Sequence, residues 1–252
     1  MKKETNSLAA RMKEYEGIPR TYLVRKTPVI IRIDGKAFHT FTRGFEKPFD
    51  IYIESAMQRT MIKLCKSIQG CVFGYTQSDE ITLVLCDYQK PDTDAWFGYN
   101  VLKICSVAAS MASVYFHDAL IKLAARDSCP TENELFICEK LEDGGVFDAR
   151  AWNLPKEEVV NCLIWRQQDA IRNSVQAVAQ SQFSHKELQG LKTEELKAKL
   201  KNEKNIDWEA YPIYRQRGCC AVNTDAGWLT DREIPLFTEN RDYVEKRIRF
   251  EE

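Results

Sequence analysis

The chain has 252 residues, of which 44% are hydrophobic and 29% charged, and its formal net charge is −1. This is the composition of an ordinary globular protein long enough to bury a sizeable core, and it argues against a polybasic nucleic-acid-binding surface. No apolar run approaches the roughly 18 residues of a membrane span, and the chain does not start with a secretory signal. We therefore expect a cytoplasmic protein with no membrane partner.

Cysteine usage and local charge refine this picture. The nine cysteines are scattered through apolar segments without a CxxC, and there are three histidines, which favours reduced thiols over a Cys/His zinc site.

Residues 1–47 carry eleven Lys or Arg against five Asp or Glu. This excess predicts a basic face around the first candidate site, with chance clustering on a solvated surface as the alternative.

The first predicted element is a helix over residues 4–16, where Leu8, Met12 and Tyr15 recur at helical spacing. We expect it to lie over the core. A buried strand over 28–34 follows, because an apolar, mostly β-branched run leads directly into Asp34-Gly35.

A carboxylate at the mouth of a buried strand is held rigidly, as a metal ligand or general base must be. A simple turn is the alternative for Asp34-Gly35. The loop 36–49 that follows has phenylalanine anchors, and its backbone N–H groups are expected to form a nest for phosphate oxygens, helped by Lys36. His39 and Lys47 are candidate phosphate contacts, with packing or plain surface roles as the alternatives.

Asp50 can cap a helix that runs to about Ser67, and a β-hairpin over 71–86 comes next. Its turn carries Asp79 and Glu80, for which a solvated hairpin tip is the alternative. A long apolar helix over about 97–124 and a strand near 146–151 complete the order βαββαβ, the ferredoxin-like unit with an antiparallel sheet.

The βαββαβ topology places the third strand beside the first. The end of the first strand then lies next to the hairpin turn, so Asp34 and Asp79 become neighbours although they are 45 residues apart. Paired carboxylates suit Mg²⁺, which prefers oxygen ligands and completes its shell with substrate phosphates. The backbone carbonyl of Gly35 is a further candidate ligand, and two Mg²⁺ ions are expected.

Beyond this core the pattern predicts a helix over about 155–180, a polar, Lys-rich helical region over 184–205 and a further strand over 215–222. The charged segment 231–252 is expected to be mobile or to contact other subunits. We interpret 1–150 as the catalytic core and 151–252 as a helical and mixed extension, packed together as one compact unit.

Five motifs, in order, resemble those of the tRNA-His guanylyltransferase family, and the resemblance covers roughly residues 5–220. They are Arg32-Ile-Asp34-Gly35-x-x-Phe38-His39, Lys47-Pro48-x-Asp50, Tyr75-x-Gln77-Ser78-Asp79-Glu80, Phe147-Asp148-x-Arg150 and Trp165-Arg166-Gln167-x-Asp169. Members of that family have a polymerase-like palm domain yet add nucleotides in the 3′-to-5′ direction. The resemblance implies an α+β palm core and a nucleotidyltransferase acting on the 5′ end of tRNA with GTP, ATP or another nucleoside triphosphate.

The resemblance also assigns roles to residues. Asp34 and Asp79 are metal ligands with the Gly35 carbonyl, and Glu80 is a supporting catalytic acid. The triphosphate is expected to bind along Asp34, Gly35, Lys36, Ala37, Phe38 and His39, and at Ser78 and Asp79. Contacts to phosphate or tRNA are expected from Lys47, Arg32, Arg150, Asn173 and Lys204. A homotetramer is implied as well.

One stretch departs from the family pattern. Eukaryotic-type members carry His-Ile-Asn-Asn-Leu-Tyr-Asn where this chain has residues 171–177, Ile-Arg-Asn-Ser-Val-Gln-Ala. This resembles the divergent bacterial-type branch, which is linked to template-dependent repair of 5′-truncated tRNAs. Ile171 and Ser174 offer fewer polar contacts than the residues they replace, which predicts weaker selection of one tRNA.

Two other functions use the same core. A nucleotidyl cyclase needs the same carboxylates, but the Gly-Gly-Asp/Glu-Glu-Phe turn typical of such enzymes is absent from the sequence. A non-catalytic RNA-binding module would read bases with aromatic side chains on its central strands. The first strand, Val29-Ile-Ile-Arg-Ile33, contains no aromatic residue.

Overall fold

The computed structural model describes residues 7–90, 92–125 and 132–248. Its centre is one antiparallel sheet of six strands in the order β4-β1-β3-β2-β5-β6. The strands are β1 (Val29–Gly35), β2 (Cys71–Gln77), β3 (Glu80–Leu85), β4 (Phe147–Asn153), β5 (Cys219–Thr224) and β6 (Gly227–Asp231). The first four strands confirm the predicted ferredoxin-like core, and β5 and β6 extend it at the β2 edge.

Ten α-helices accompany the sheet within the described ranges. They are α1 (Leu8–Gly17), α2 (Phe38–Phe41), α3 (Ile51–Ser67), α4 (Val101–Ala124), α5 (Glu132–Asp143), α6 (Lys156–Gln182), α7 (His185–Leu188), α8 (Thr193–Lys204), α9 (Ile213–Arg217) and α10 (Asp242–Ile248). Helices α3 and α4 cover one face of the sheet, while α6 and α10 cover the other.

Strand β1 is buried on both faces, which explains its unbroken apolar run. Val29, Ile31 and Ile33 point into the core with α3 and α4, and Ile30 points into the core with α6. All four side chains are fully buried. The two-sided burial positions the end of the strand, and with it Asp34.

Helices α3 and α4 form the layer behind the site. Asp50 caps α3 by accepting hydrogen bonds from the backbone N–H groups of Tyr52 (2.9 Å) and Ile53 (3.1 Å). Helix α4 is long and apolar enough, by length and composition alone, to cross a membrane. In this fold it packs against α3 and β4 through a buried row that includes Ala108, Ala112 and Phe116.

Several boundaries differ from those predicted. Helix α1 buries no side chain, and Leu8 is 64% exposed, so the expectation that it lies over the core was wrong. Part of the predicted loop 36–49 forms α2, and α5 was not predicted at all. Residues 213–217 form α9, so the strand predicted from 215 begins only at Cys219.

Residues 232–248 are packed rather than mobile, which corrects the first alternative predicted for the charged segment, while residues 249–252 lie outside the described part of the chain. Ile234, Phe237, Val244 and Ile248 are almost fully buried in the core beneath α6. Gln167 of α6 fixes the segment from both sides, because its Oε1 accepts from the Phe237 N–H (2.9 Å) and its Nε2 donates to the Pro235 carbonyl (3.0 Å). The abundance of charged residues misled the sequence prediction, because four spaced apolar residues among them face the core.

This packing predicts a large loss of stability for Phe237→Ala. The ring is fully buried, and truncating such a side chain costs about 3–5 kcal/mol of unfolding free energy. Leu229→Ala is the control, since that side chain is half exposed and its loss should cost about 0.5 kcal/mol. Equilibrium urea unfolding of both variants checks this; equal, small effects would mean that the segment is not part of the core.

Candidate active site

Asp34 and Asp79 lie side by side at one end of the sheet, which confirms the predicted adjacency. Asp34 is paired in register with Glu80 at the start of β3, and the Gly35 N–H donates to the Asp79 carbonyl at 3.1 Å. The hairpin turn between β2 and β3 has two residues, and Ser78 adopts a left-handed φ of +49°. The tight turn thereby fixes Asp79 directly beside the end of β1.

The carboxylate of Asp79 is partly buried. Burial raises its pKa above the ordinary range, while hydrogen bonds from its own backbone N–H and from the Ser78 hydroxyl (3.0 Å) oppose the rise. The charge of Asp34 raises the pKa further, and His39 lowers it. Two neighbouring carboxylates of which one is poorly hydrated form a site that a cation stabilises.

The turn after Asp34 is held very close to the core. A Cβ on Gly35 would lie 2.2 Å from Cδ2 of Phe38, so only glycine fits. The Phe38 ring is itself packed against Phe41, Phe116 and Phe147. Phe38 therefore contributes its backbone to the site, while its side chain anchors the turn.

This geometry leaves backbone donors available. Ala37 has a left-handed φ of +50°, and in the described structure the N–H groups of residues 37–39 donate to no protein acceptor. Successive free N–H groups in such a turn form an anion-binding nest. The structure thus supports the predicted phosphate cradle.

A cavity of about 490 Å³ opens beside the two carboxylates. It brings together most of the predicted site residues: Asp34, Gly35, Ala37, Phe38, His39, Lys47, Ser78, Asp79 and Asn173. Lys47 is exposed and forms no ion pair within the described part of the chain. Its ammonium is available to a phosphate.

The sequence analysis did not identify two of the charged residues that line the cavity. Arg215 of α9 and Glu54 of α3 form a bidentate ion pair there, with nitrogen–oxygen distances of 2.9 Å, and Arg215 also lies over the Phe49 ring. Burial raises the pKa of Glu54, and Arg215 opposes the rise. The partners are 161 residues apart, and no spacing in the sequence signals this pair.

Glu80 does not line the cavity. Its carboxylate is buried and lies 2.8 Å from Nε of Arg166, a buried residue of α6 that also binds Asp169. Burial raises the pKa of Glu80, and the Arg166 charge opposes this. The predicted supporting acid is therefore an anchor between the hairpin and α6 in this structure.

Four other predicted contact residues also lie outside the cavity. Lys36 and Arg150 are exposed, and Arg32 lies 5.9 Å from the Trp165 ring on the α6 face of the sheet. Lys204, at the end of α8, lies over the Phe183 ring at 5.1 Å. Any contact of these residues with tRNA would be made at the surface.

The predicted basic face around Asp34 is only partly present. Arg25 (2.6 Å) and Lys26 both bind Asp87, which follows β3 at the end of the sheet opposite Asp34. Arg20 is paired with Glu16. Lys2 and Lys3 lie outside the described residues.

In the divergent stretch of α6, Asn173 lines the cavity and Ser174 does not offer a free hydroxyl. The Ser174 hydroxyl donates to the Arg215 carbonyl (2.7 Å) and accepts from the Trp208 indole (3.0 Å). Ile171 packs into the small core formed with α8. Asn173 is thus a polar side chain of this stretch that lines the cavity and is free to meet a substrate.

The donor set fits Mg²⁺. No group of three or more His, Cys, Asp or Glu side chains suited to a metal occurs within the described ranges. Mg²⁺, however, is usually held by one or two carboxylates together with substrate phosphates and water. Two adjacent carboxylates beside a turn that can hold substrate phosphate provide such a site.

Comparison with known proteins gives consistent matches. The family model of tRNAHis guanylyltransferase matches residues 9–155. A bacterial tRNA(His) guanylyltransferase (Thg1)-like protein, solved in complex with ATP, is 41% identical, with a TM-score of 0.85 over 96% of this chain and 99% of its own. A protein of the same description in complex with GTP is 36% identical, with a TM-score of 0.75 over the same shares.

A curated relative matches over a shorter span. The probable tRNA(His) guanylyltransferase of Dictyostelium discoideum is 29% identical over 156 residues, which are 61% of this chain and 54% of that protein. The chain thus aligns with about half the length of this relative.

The buried pair of Glu80 and Arg166 predicts that removing this arginine lowers the unfolding free energy much more than removing a surface arginine. Arg166→Met leaves a buried carboxylate without its partner and should cost about 3–5 kcal/mol of unfolding free energy, much of which Glu80→Gln in the same chain should restore. Arg172→Met is the control, because Arg172 pairs with Asp169 from a 60% exposed position and its loss should cost under about 1 kcal/mol. Urea unfolding measures all three; equal losses for Arg166→Met and Arg172→Met would contradict the anchoring role.

Proposed function

The chain belongs to the tRNA(His) guanylyltransferase family, a family of nucleotidyltransferases, and from this premise we propose that it adds nucleotides to the 5′ end of tRNA in the 3′-to-5′ direction. The observation that carries the proposal is the backbone hydrogen bond from Gly35 to Asp79, which holds the end of β1 against the hairpin turn so that Asp34 and Asp79 both line one cavity. The solved relatives that bind ATP and GTP support nucleoside triphosphates as substrates.

In the proposed reaction the 3′-hydroxyl of the incoming nucleotide attacks the activated 5′ phosphorus of the tRNA. A new P–O bond forms, and AMP leaves if the end was adenylylated, or pyrophosphate if it carried a triphosphate. Asp34 and Asp79, with the Gly35 carbonyl, would hold two Mg²⁺ ions. Bound Mg²⁺ would stabilise negative charge on the attacking and leaving oxygens.

The protein's own groups would position the phosphates. Residues 37–39, whose N–H groups have no protein acceptor, and Lys47 line the same cavity as the two carboxylates. Asn173 lines the same cavity and offers both a donor and an acceptor to the tRNA end or the incoming nucleotide. Preorganised donors of this kind stabilise a transition state without reorganising during the reaction.

Asp34→Asn and Asp79→Asn should each abolish nucleotide addition. Loss of a metal-binding carboxylate should remove several kcal/mol of transition-state stabilisation, and each factor of ten in rate is about 1.4 kcal/mol. Addition to 5′-labelled tRNA with Mg²⁺ and all four nucleoside triphosphates measures the effect.

Asp225→Asn is the matched control, since Asp225 also lies in the two-residue turn of a hairpin, but at the opposite end of the sheet. It should retain wild-type rates. Retention of more than about a tenth of the activity by either site variant, a loss below about 1.4 kcal/mol, would refute the assignment of the carboxylates.

Substrate choice provides a separate prediction. With Ser174 engaged by Arg215 and Trp208, few fixed polar groups remain in this stretch to select one tRNA, so pairing with the opposite strand should decide what is added. A truncated tRNA supplied with each nucleotide in turn should accept the one that pairs with its template base, and changing that base should change the nucleotide. Addition of GTP alone, whatever the opposing base and only to tRNA-His, would favour a dedicated guanylyltransferase.

A further inference from the structure

A second cavity, also of about 490 Å³, lies between α3, α4 and β6. Four cationic side chains line it: Arg59, Lys63, Lys122 and Arg232. Among the described lining residues, Asp118 supplies the single carboxylate. We call this cavity the basic groove.

The positive charge of the basic groove is largely uncompensated. Asp118 is shared between Lys63 and Lys122, and their hydrogen bonds lower its pKa. Arg232 donates two hydrogen bonds of 2.9 and 2.6 Å to the neutral Oε1 of Gln58 and lies 5.1 Å from the Tyr214 ring, and neither partner carries a negative charge. Arg59 is partly buried and has no ionic or hydrogen-bonding partner in the described structure. A partly desolvated guanidinium without a counter-charge favours an anionic ligand.

The basic groove adjoins the candidate active site. Gln58 lines both cavities, so a single buried side chain belongs to the wall of each. Both cavities also lie along helix α3, where Glu54 lines one and Arg59 the other. Five residues of helix span about 7.5 Å. A molecule longer than one nucleotide can therefore occupy both.

The lining also indicates which part of a nucleic acid it would contact. No aromatic side chain lines the described groove, so it offers no surface on which a base could stack. Arginine and lysine on two helices and directly after a strand instead match several phosphates in succession. These features favour a polyanionic backbone over a single free nucleotide.

We propose that the basic groove binds the sugar–phosphate backbone of the tRNA whose 5′ end lies in the catalytic cavity. This inference rests on the proposed function, because it takes the substrate to be RNA. It assigns Arg59 and Lys122 as direct phosphate contacts. It also makes Asp118 a group that weakens RNA binding, since this carboxylate competes with phosphate for two lysines.

The test is the affinity of the full-length protein for an unmodified tRNA transcript, measured by fluorescence anisotropy at several salt concentrations. Arg59→Gln combined with Lys122→Gln should raise Kd about tenfold or more and reduce the slope of log K against log salt by about two, one for each lost phosphate contact. Asp118→Asn should have the opposite effect, lowering Kd and steepening the slope. Structural damage alone does not tighten binding, so this variant separates charge from misfolding.

Lys186→Gln with Lys246→Gln is the matched control. It removes the same charge from exposed positions on α7 and α10 that line neither cavity, and Kd should stay within about twofold. An unchanged Kd and slope for the groove variants would overturn the proposal. The proposal would also be overturned if the groove variants changed only the inhibition by free pyrophosphate, or only the self-association measured by light scattering.

Nucleotide addition by the wild-type protein is measured in a separate assay. If the wild-type protein binds tRNA through the basic groove but adds no nucleotide, the proposed function fails while the groove assignment stands. If it adds nucleotides and the groove variants bind tRNA normally, the groove assignment alone fails.

Discussion

The antiparallel register between β1 and β3 determines where the functional groups of this protein lie. Side chains alternate along a strand, so a slip of one residue would turn Val29, Ile31 and Ile33 away from the core they share with α3 and α4. The register that buries them also places Asp34 opposite Glu80 and Gly35 against Asp79. The packing of the hydrophobic core therefore fixes the geometry of the site, and contacts throughout the sheet offset the stability lost at the site.

The same register concentrates negative charge. Asp148, Asp34 and Glu80 stand opposite one another on three adjacent strands, and like charges in facing positions are destabilising. Arg166 neutralises Glu80, whereas Asp34 and Asp79 form no ion pair with any described side chain. The fold thus compensates the carboxylate that anchors the hairpin and leaves the cavity-facing pair without a counter-charge, a local loss of stability typical of functional sites.

Local patterns predicted the core strands, and the βαββαβ order of the elements then predicted that Asp34 and Asp79 would be neighbours. Local patterns could not predict what covers an exposed face, because α1 has an amphipathic pattern yet buries nothing, while the charged residues 232–248 include a packed segment. The Glu54–Arg215 pair could not be predicted either, because ion pairs between residues far apart in the sequence leave no periodic pattern. The sequence indicated that Glu80 is important. Its role depends on its partner Arg166, and the position of α6 that brings Arg166 close could not be predicted.

The packing of residues 234–248 has a consequence for how the protein is made. Ile30 and Val84, in the middle of the sheet, share their core with Phe237 and Val244, more than 150 residues later in the chain. A polypeptide emerges from the ribosome N-terminus first, so the face of the sheet that α6 covers stays incomplete until this segment has been synthesised. The strand that ends with Asp34 and the hairpin turn that carries Asp79 are therefore synthesised long before the core around them is complete. The nascent chain exposes one apolar face of its sheet throughout that interval.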